Sequence, residues 1–153
     1  MSLRWYTYSW NDLTKEALYT ILTLRADVFV VEQECAYLDL DGKDQEAVHL
    51  VAYEGETLVG YARIFLKQNP CVIGRVVVHQ KFRGKNLGRT LMEKSIREVS
   101  NETPIFISAQ ERLKAFYASL GFNQSGEGYL EDGIPHIPMI LPPRHTNGKL
   151  SLP

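Results

Sequence analysis

The stretch from Val72 to Met92, VIGRVVVHQKFRGKNLGRTLM, constrains this chain more than any other. Val76, Val77 and Val78 are β-branched and apolar in succession, which suits a strand covered on both faces. The turn Arg83-Gly84-Lys85-Asn86-Leu87-Gly88 then supplies two glycines and an asparagine, residues that admit backbone angles closed to most side chains and let N–H groups point inward. A helical period follows through Leu87, Leu91, Met92, Ile96 and Val99. The start of a helix leaves N–H groups unpaired and carries partial positive charge, so strand, turn and helix together make an anion site suited to phosphate. Arg83, Lys85 and Arg89 surround it with mobile positive charge. Two familiar phosphate motifs do not fit. Gly84 to Gly88 is one residue too short for a P-loop and is followed by Arg89-Thr90, while Gly84-Lys85-Asn86 breaks the dinucleotide pattern G-x-G-x-x-G.

A Val-rich strand followed by Arg83-Gly84-Lys85-Asn86-Leu87-Gly88 resembles the GCN5-related N-acetyltransferase (GNAT) superfamily. In that family this turn wraps the pyrophosphate of acetyl-coenzyme A. Asn86 stands where the family most often has a second glycine, and Asn is the non-glycine residue that best tolerates a left-handed backbone. Phe116-Tyr117-x-x-x-Gly121-Phe122 resembles the family's second coenzyme-side segment. Phe29-Val30-Val31-Glu32-Gln33, with the later Asp-rich loop and His49-Leu50, resembles the ElaA-type branch. The resemblance spans Leu13 to Leu141. It implies an α+β fold: a single GNAT-like domain whose central mixed, mostly antiparallel sheet is flanked by helices. Two parallel strands, ending near His79 and Gln110, would splay apart as a V. It also implies acetyl-CoA as co-substrate, with the pantetheine arm lying along the backbone of Val76, Val77 and Val78, beside Gln110. The pyrophosphate would sit in the turn from Arg83, Gly84, Lys85, Asn86, Leu87 and Gly88 to Arg89. Tyr117 is the family-matched proton donor to the departing thiolate.

The rest of the chain is consistent with one domain. Its 153 residues, 44% of them hydrophobic, are enough for a single core, expected over residues 1–142, with 143–153 as a flexible tail. Leu3 to Tyr8 alternates as a half-buried strand. From Leu13 a helix is expected, capped by Asp12 or Thr14, with Leu18, Ile21, Leu22, Arg25, Val28 and Phe29 on one face; Arg25 is the polar intruder there. Asp39, Asp41, Asp44 and Glu46 form an acidic loop without EF-hand spacing, since Lys43 and Asp44 stand where an acidic residue and glycine belong. It reads as a solvated loop that attracts a cationic substrate. Val48–Tyr53 and Leu58–Leu66 make a hairpin about Glu54-Gly55-Glu56-Thr57. Ile105–Ala109 is a further buried strand, Glu111–Leu120 a helix stopped by Gly121, and Tyr129 to Leu141 a last hairpin.

Seventeen basic against eighteen acidic residues give a net charge of -1, so no overall field recruits nucleic acid or an anionic membrane. The Arg83–Arg89 cluster is short and lacks interleaved aromatics, which argues against nucleic acid a second time. No metal is expected. Cys35 and Cys71 form no pair or metal spacing and read as packed thiols; with no leader or apolar run of roughly 18 residues, a cytoplasmic monomer or homodimer is expected.

Transfer of an acetyl group to an amine needs alignment, an oxyanion donor such as the Val77 or Val78 N–H, a proton acceptor and a proton donor. Beside Tyr117, Glu32 is the candidate catalytic group, with His49, His79 and His136 as other proton acceptors. His79 is a discounted candidate, because relatives carry a histidine there with no chemical part. Arg25, His49, Arg75 and His136 are the candidate acceptor-site residues. Arg75 is the one charge in an apolar strand, on the expected face of Ile73 and Val77, and it needs an anionic partner from protein or substrate; Arg63 poses the same question. The rival to an enzyme is a regulatory module that binds acyl-CoA without transferring the acyl group.

Overall fold

Alternation lays down strand β1 (Arg4–Ser9), and Thr14 starts the first helix by accepting a hydrogen bond from the Ala17 N–H at 3.0 Å. The computed structural model describes residues 2–144. Of the two expected caps, Asp12 instead ends a short 3-10 turn. Helix α1 (Lys15–Arg25) then widens into a π-helical segment, Ala26–Glu32. The 3.6 period expected to reach Phe29 is therefore lost after Arg25, a deviation often found at functional positions.

Strands β2 (Val48–Glu54), β3 (Thr57–Phe65) and β4 (Cys71–Val78) follow as an antiparallel meander. Helix α2 (Leu87–Arg97) crosses to β5 (Ile105–Gln110), which is parallel to β4. A 3-10 turn and the short helix α3 (Lys114–Ala118) replace the longer helix expected over Glu111–Leu120. The chain closes with β6 (Asn123–Gln124), β7 (Tyr129–Glu131) and β8 (Ile134–Leu141). The sheet order is β1-β2-β3-β4-β5-β8-β6, with β7 also paired to β8.

Each face of the sheet has its own apolar layer. Ile21, Leu24 and Val28 pack on Val51, Tyr61 and Val77, while on the other face Leu91, Met92 and Tyr117 pack with Leu50, Ile64, Ile73 and Ile107. Fully burying one such aliphatic side chain is worth ~1.5–3 kcal/mol. Ile73 and Val77 thus lie on opposite faces, against expectation. The cause is a β-bulge: Tyr61 pairs with Val77 but Arg63 with Gly74, so β4 carries one extra residue there, and Arg75 takes φ 48°.

Two of the four carboxylates of the acidic loop are withdrawn from solvent, against expectation. Asp39 and Asp44 are buried, and with Asp41 they neutralise Arg25, Arg63 and Arg75. Arg25 gives Nε to Asp39 at 2.9 Å and a terminal nitrogen to Asp44 at 2.8 Å. Arg63 holds both Asp41 oxygens, and Arg75 Nε reaches Asp39 at 2.7 Å. The anions that Arg63 and Arg75 require come from the protein.

Beyond Pro142 the chain stays attached, because Arg144 donates its backbone N–H to Asn101 O at 2.7 Å and a guanidinium N–H to Thr103 O at 2.9 Å. The remainder of the expected flexible tail, 145–153, lies outside the described residues. Among the described residues no helix is long and apolar enough to cross a membrane.

Candidate active site

Only Cys71↔Ile105 and Val72↔Phe106 join β4 to β5. Past that point the bulge at Arg75 turns β4 away, and the two strands diverge around a cleft of about 800 Å³. Backbone groups of Val76–Val78 and of Ile107–Gln110 that would have continued the ladder face this opening.

The basic turn stands at one end. Gly84 (φ 80°) and Asn86 (φ 62°) both adopt left-handed backbone, and Asn86 sits at the cap position of α2, so the first N–H groups of that helix meet the cleft. Gly88 has an ordinary backbone, and a Cβ there would touch only Val78 at 3.9 Å. Arg83 gives Nε to Val78 O at 3.1 Å and grips Glu32 with both terminal nitrogens, at 2.6 and 2.9 Å. Arg89 bonds Ser119 Oγ and lies over the Phe116 ring, tying α2 to α3. Lys85 is the one residue of the turn that does not line the cleft; its ammonium lies over Phe82.

Tyr117 enters from the α2 side, packed edge-on against Phe116 and Phe122 at 5.1 and 6.0 Å between ring centres. Burial pushes its hydroxyl up to about 12, with Arg112 pulling weakly the other way, so the group carries its proton throughout the neutral range. The other face presents Phe29 and Glu32 from the π-helical segment, Gln33 just after it, and Ser108, Gln110, Glu131 and His136 from the far strands. Gln110 Nε2 reaches Gln33 Oε1 across the mouth at 3.5 Å.

The cleft therefore gathers Tyr117, Glu32, Gln110, Arg75, His136, the three valines and most of the turn. Two expectations for the acceptor side are corrected. Arg25 and His49 are 0% exposed and engaged internally, Arg25 with Asp39 and Asp44, and His49 between the Tyr61 hydroxyl (2.6 Å) and Asp44 O (2.9 Å). Burial lowers the His49 pKa and keeps it neutral, with Nε2–H donating to the carbonyl. Neither lines the cleft. His79 Nδ1 accepts from the Lys81 N–H and caps a short turn, a structural duty. Glu32 lines the cleft, but the hydrogen bond from Arg83 holds its carboxyl below the usual range and weakens it as a base. Arg75 also lines the cleft with its charge already paired.

Sequence reading missed Ser108, Gln33 and Glu131. Glu131 was within reach of it: the hairpin about Asp132-Gly133 brings β7 against β8 and sets Glu131 beside His136.

Residues 11–142 match the family model of the acetyltransferase (GNAT) domain. Protein ElaA of Escherichia coli is 40% identical over 145 residues, covering 90% of this chain and 95% of its own. The crystal structure of Escherichia coli ElaA superposes with a TM-score of 0.86 at 38% identity, over 94% of this chain and 100% of that one. The crystal structure of an acyl-CoA N-acyltransferase from Pseudomonas aeruginosa gives 0.87 at 41% identity, over 91% and 99%.

Proposed function

The chain belongs to the GNAT acetyltransferase family, and from that membership we propose that it moves an acetyl group from acetyl-CoA to a primary amine by direct attack in a ternary complex in the cytoplasm. The observation that carries this reading is the splay of β4 and β5, a slot open to both faces of the sheet with the phosphate turn at its end and Tyr117 at its wall. The description of the Pseudomonas aeruginosa relative as an acyl-CoA N-acyltransferase supports the donor class. Coenzyme A fits the residues present: left-handed Gly84 and Asn86 open the helix N-terminus to a pyrophosphate, and Arg83 and Arg89 are at hand for its charge. On the side of β4 away from β3, Val76 and the Val78 N–H offer hydrogen-bonding groups to the amides of the pantetheine arm and to the carbonyl oxygen, whereas Val77 is paired to Tyr61 in the ladder. Tyr117 donates the proton that the departing thiolate needs. Glu32 keeps Arg83 at the turn.

Thiol release from acetyl-CoA across a panel of amines tests the reading. We expect turnover with at least one primary amine, and acetyl-CoA at ~100 times its Kd to add about 2.7 kcal/mol to stability. Equal melting shifts from ATP would point to a general polyanion site, and coenzyme binding without turnover would leave the regulatory module.

A further inference from the structure

His136 in β8 is 7% exposed, yet its ring opens onto the cleft. Its Nδ1 lies 2.7 Å from Ile134 O. A carbonyl oxygen can only accept, so Nδ1 carries the hydrogen and Nε2 keeps a lone pair in the neutral ring. Nε2 makes no hydrogen bond among the described residues; Glu131 Oε2 is 3.7 Å away. The ring plane is fixed by Tyr129, stacked at 6.3 Å and 16°. Glu131 is fixed by Ser108 Oγ, which donates to its other oxygen at 3.0 Å and also bonds the Tyr129 hydroxyl.

The charged groups around this point are few. Arg75 is paired with Asp39 and Glu32 with Arg83, while Arg112 donates Nε to Gln110 Oε1 at 3.1 Å. Among the described residues, Glu131 and Asp132 are the carboxylates lining the cleft that no arginine neutralises. Gln110 is the cross-strand partner of His136, so His136, Gln110 and Ser108 share one face of the sheet, opposite the layer that holds Tyr117. The slot between β4 and β5 links the two faces.

We propose that His136 Nε2 is the proton acceptor of the reaction and that Glu131 seats the incoming substrate nitrogen as an ammonium, which makes the acceptor a cationic alkylamine. The assignment rests on the N-acyl-transfer reading above. Nε2 takes one proton from the ammonium and becomes part of an imidazolium. The freed nitrogen lone pair forms the C–N bond to the thioester carbonyl while the C–S bond breaks, and Tyr117 gives its hydroxyl proton to the leaving sulfur. The second proton shed by the new amide nitrogen restores Tyr117, and the imidazolium returns its proton to solvent. Each cycle releases one proton overall.

The test compares wild type with His136→Asn and Glu131→Gln in the thiol-release assay from pH 6 to 10. Removing a positioned base costs ~10²- to 10⁴-fold, so His136→Asn should lose at least ~10² in kcat near pH 7 with acetyl-CoA Kd within a few-fold of wild type. That loss should shrink toward pH 10, where free amines of pKa ~10 shed the proton unaided. Glu131→Gln should raise KM for the amine more than it lowers kcat. A loss of the same size at every pH, or an unchanged profile, overturns the proton-acceptor role. Absence of turnover by the wild type with every amine overturns the N-acyl-transfer reading as well. Nitrogen NMR of His136 in the wild type gives a check free of any variant: the neutral ring should carry its hydrogen on Nδ1, and hydrogen on Nε2 overturns the assignment.

Discussion

At Tyr117 one oxygen separates a packing residue from a proton donor. Its ring is held by Phe116 and Phe122, and its hydroxyl, pushed up to about 12 by burial, stays protonated at every pH at which an amine would be acetylated. Tyr117→Phe keeps the ring contacts and removes the donor alone, so turnover should fall about 10²-fold while affinity for acetyl-CoA changes less than a few-fold. Normal turnover would make the ring purely structural, and parallel loss of affinity would make the hydroxyl a binding contact. Tyr117 and the turn are both legible as places where the chain repeats a family pattern, but the backbone angles within the turn are not. Gly84, Asn86 and Gly88 read alike as permissive residues, but only the first two use left-handed backbone. Gly88 leaves room for a ligand.

Elements were legible where a period repeats: β1 to β5, α1 and α2 follow from alternation or from apolar recurrence. Departures from period were not legible. The π-helical widening at Ala26–Glu32 and the bulge at Arg75 each shift later side chains by one position, and nothing local in either stretch announces them. Tertiary charge pairing holds the second: Arg75 Nε meets Asp39 Oδ1 across 36 positions of sequence. The acidic loop was misread for the same reason, since its partners lie on α1, β3 and β4. Because Arg75 takes φ 48°, a pair of substitutions separates its backbone from its charge. Arg75→Gly and Arg75→Ala both delete the ion pair, but alanine in left-handed backbone costs ~1–2 kcal/mol that glycine avoids, partly offset by glycine's freer unfolded chain. Chemical denaturation should find the glycine variant more stable by about 1 kcal/mol. Equal stabilities would mean that the bulge relaxes once the charge is gone.

For the whole molecule, the cluster of three arginines and three aspartates makes one loop, one helix and two strands stand or fall together at low pH. Burial pushes the Asp44 carboxyl up, but hydrogen bonds and charge from Arg25 and Arg63 outweigh it and hold the group below its usual value. At Asp41 burial is likewise overridden, by Arg63, the Lys43 N–H and Arg75. A carboxylate depressed in the folded state binds its proton more readily once unfolded, so its stabilisation is present above the unfolded value of ~4 and is lost as pH falls through the folded value. Unfolding free energy measured in urea should therefore fall modestly below about pH 6.5, where the unfolded chain protonates His49 and the folded one keeps it neutral, and more steeply below about pH 4, where the aspartates join. Asp44→Asn should begin lower, by roughly 3–5 kcal/mol, because it leaves Arg63 with Asp41 alone and strips fully buried Arg25 of one of its two counter-charges. The same variant should lose less between pH 4 and 2, since one of the groups that take up protons on unfolding has been removed. A wild-type curve that does not steepen below about pH 4, or curves for the two proteins that run parallel there, would mean that protonation of Asp44 is not the step by which acid destabilises the molecule.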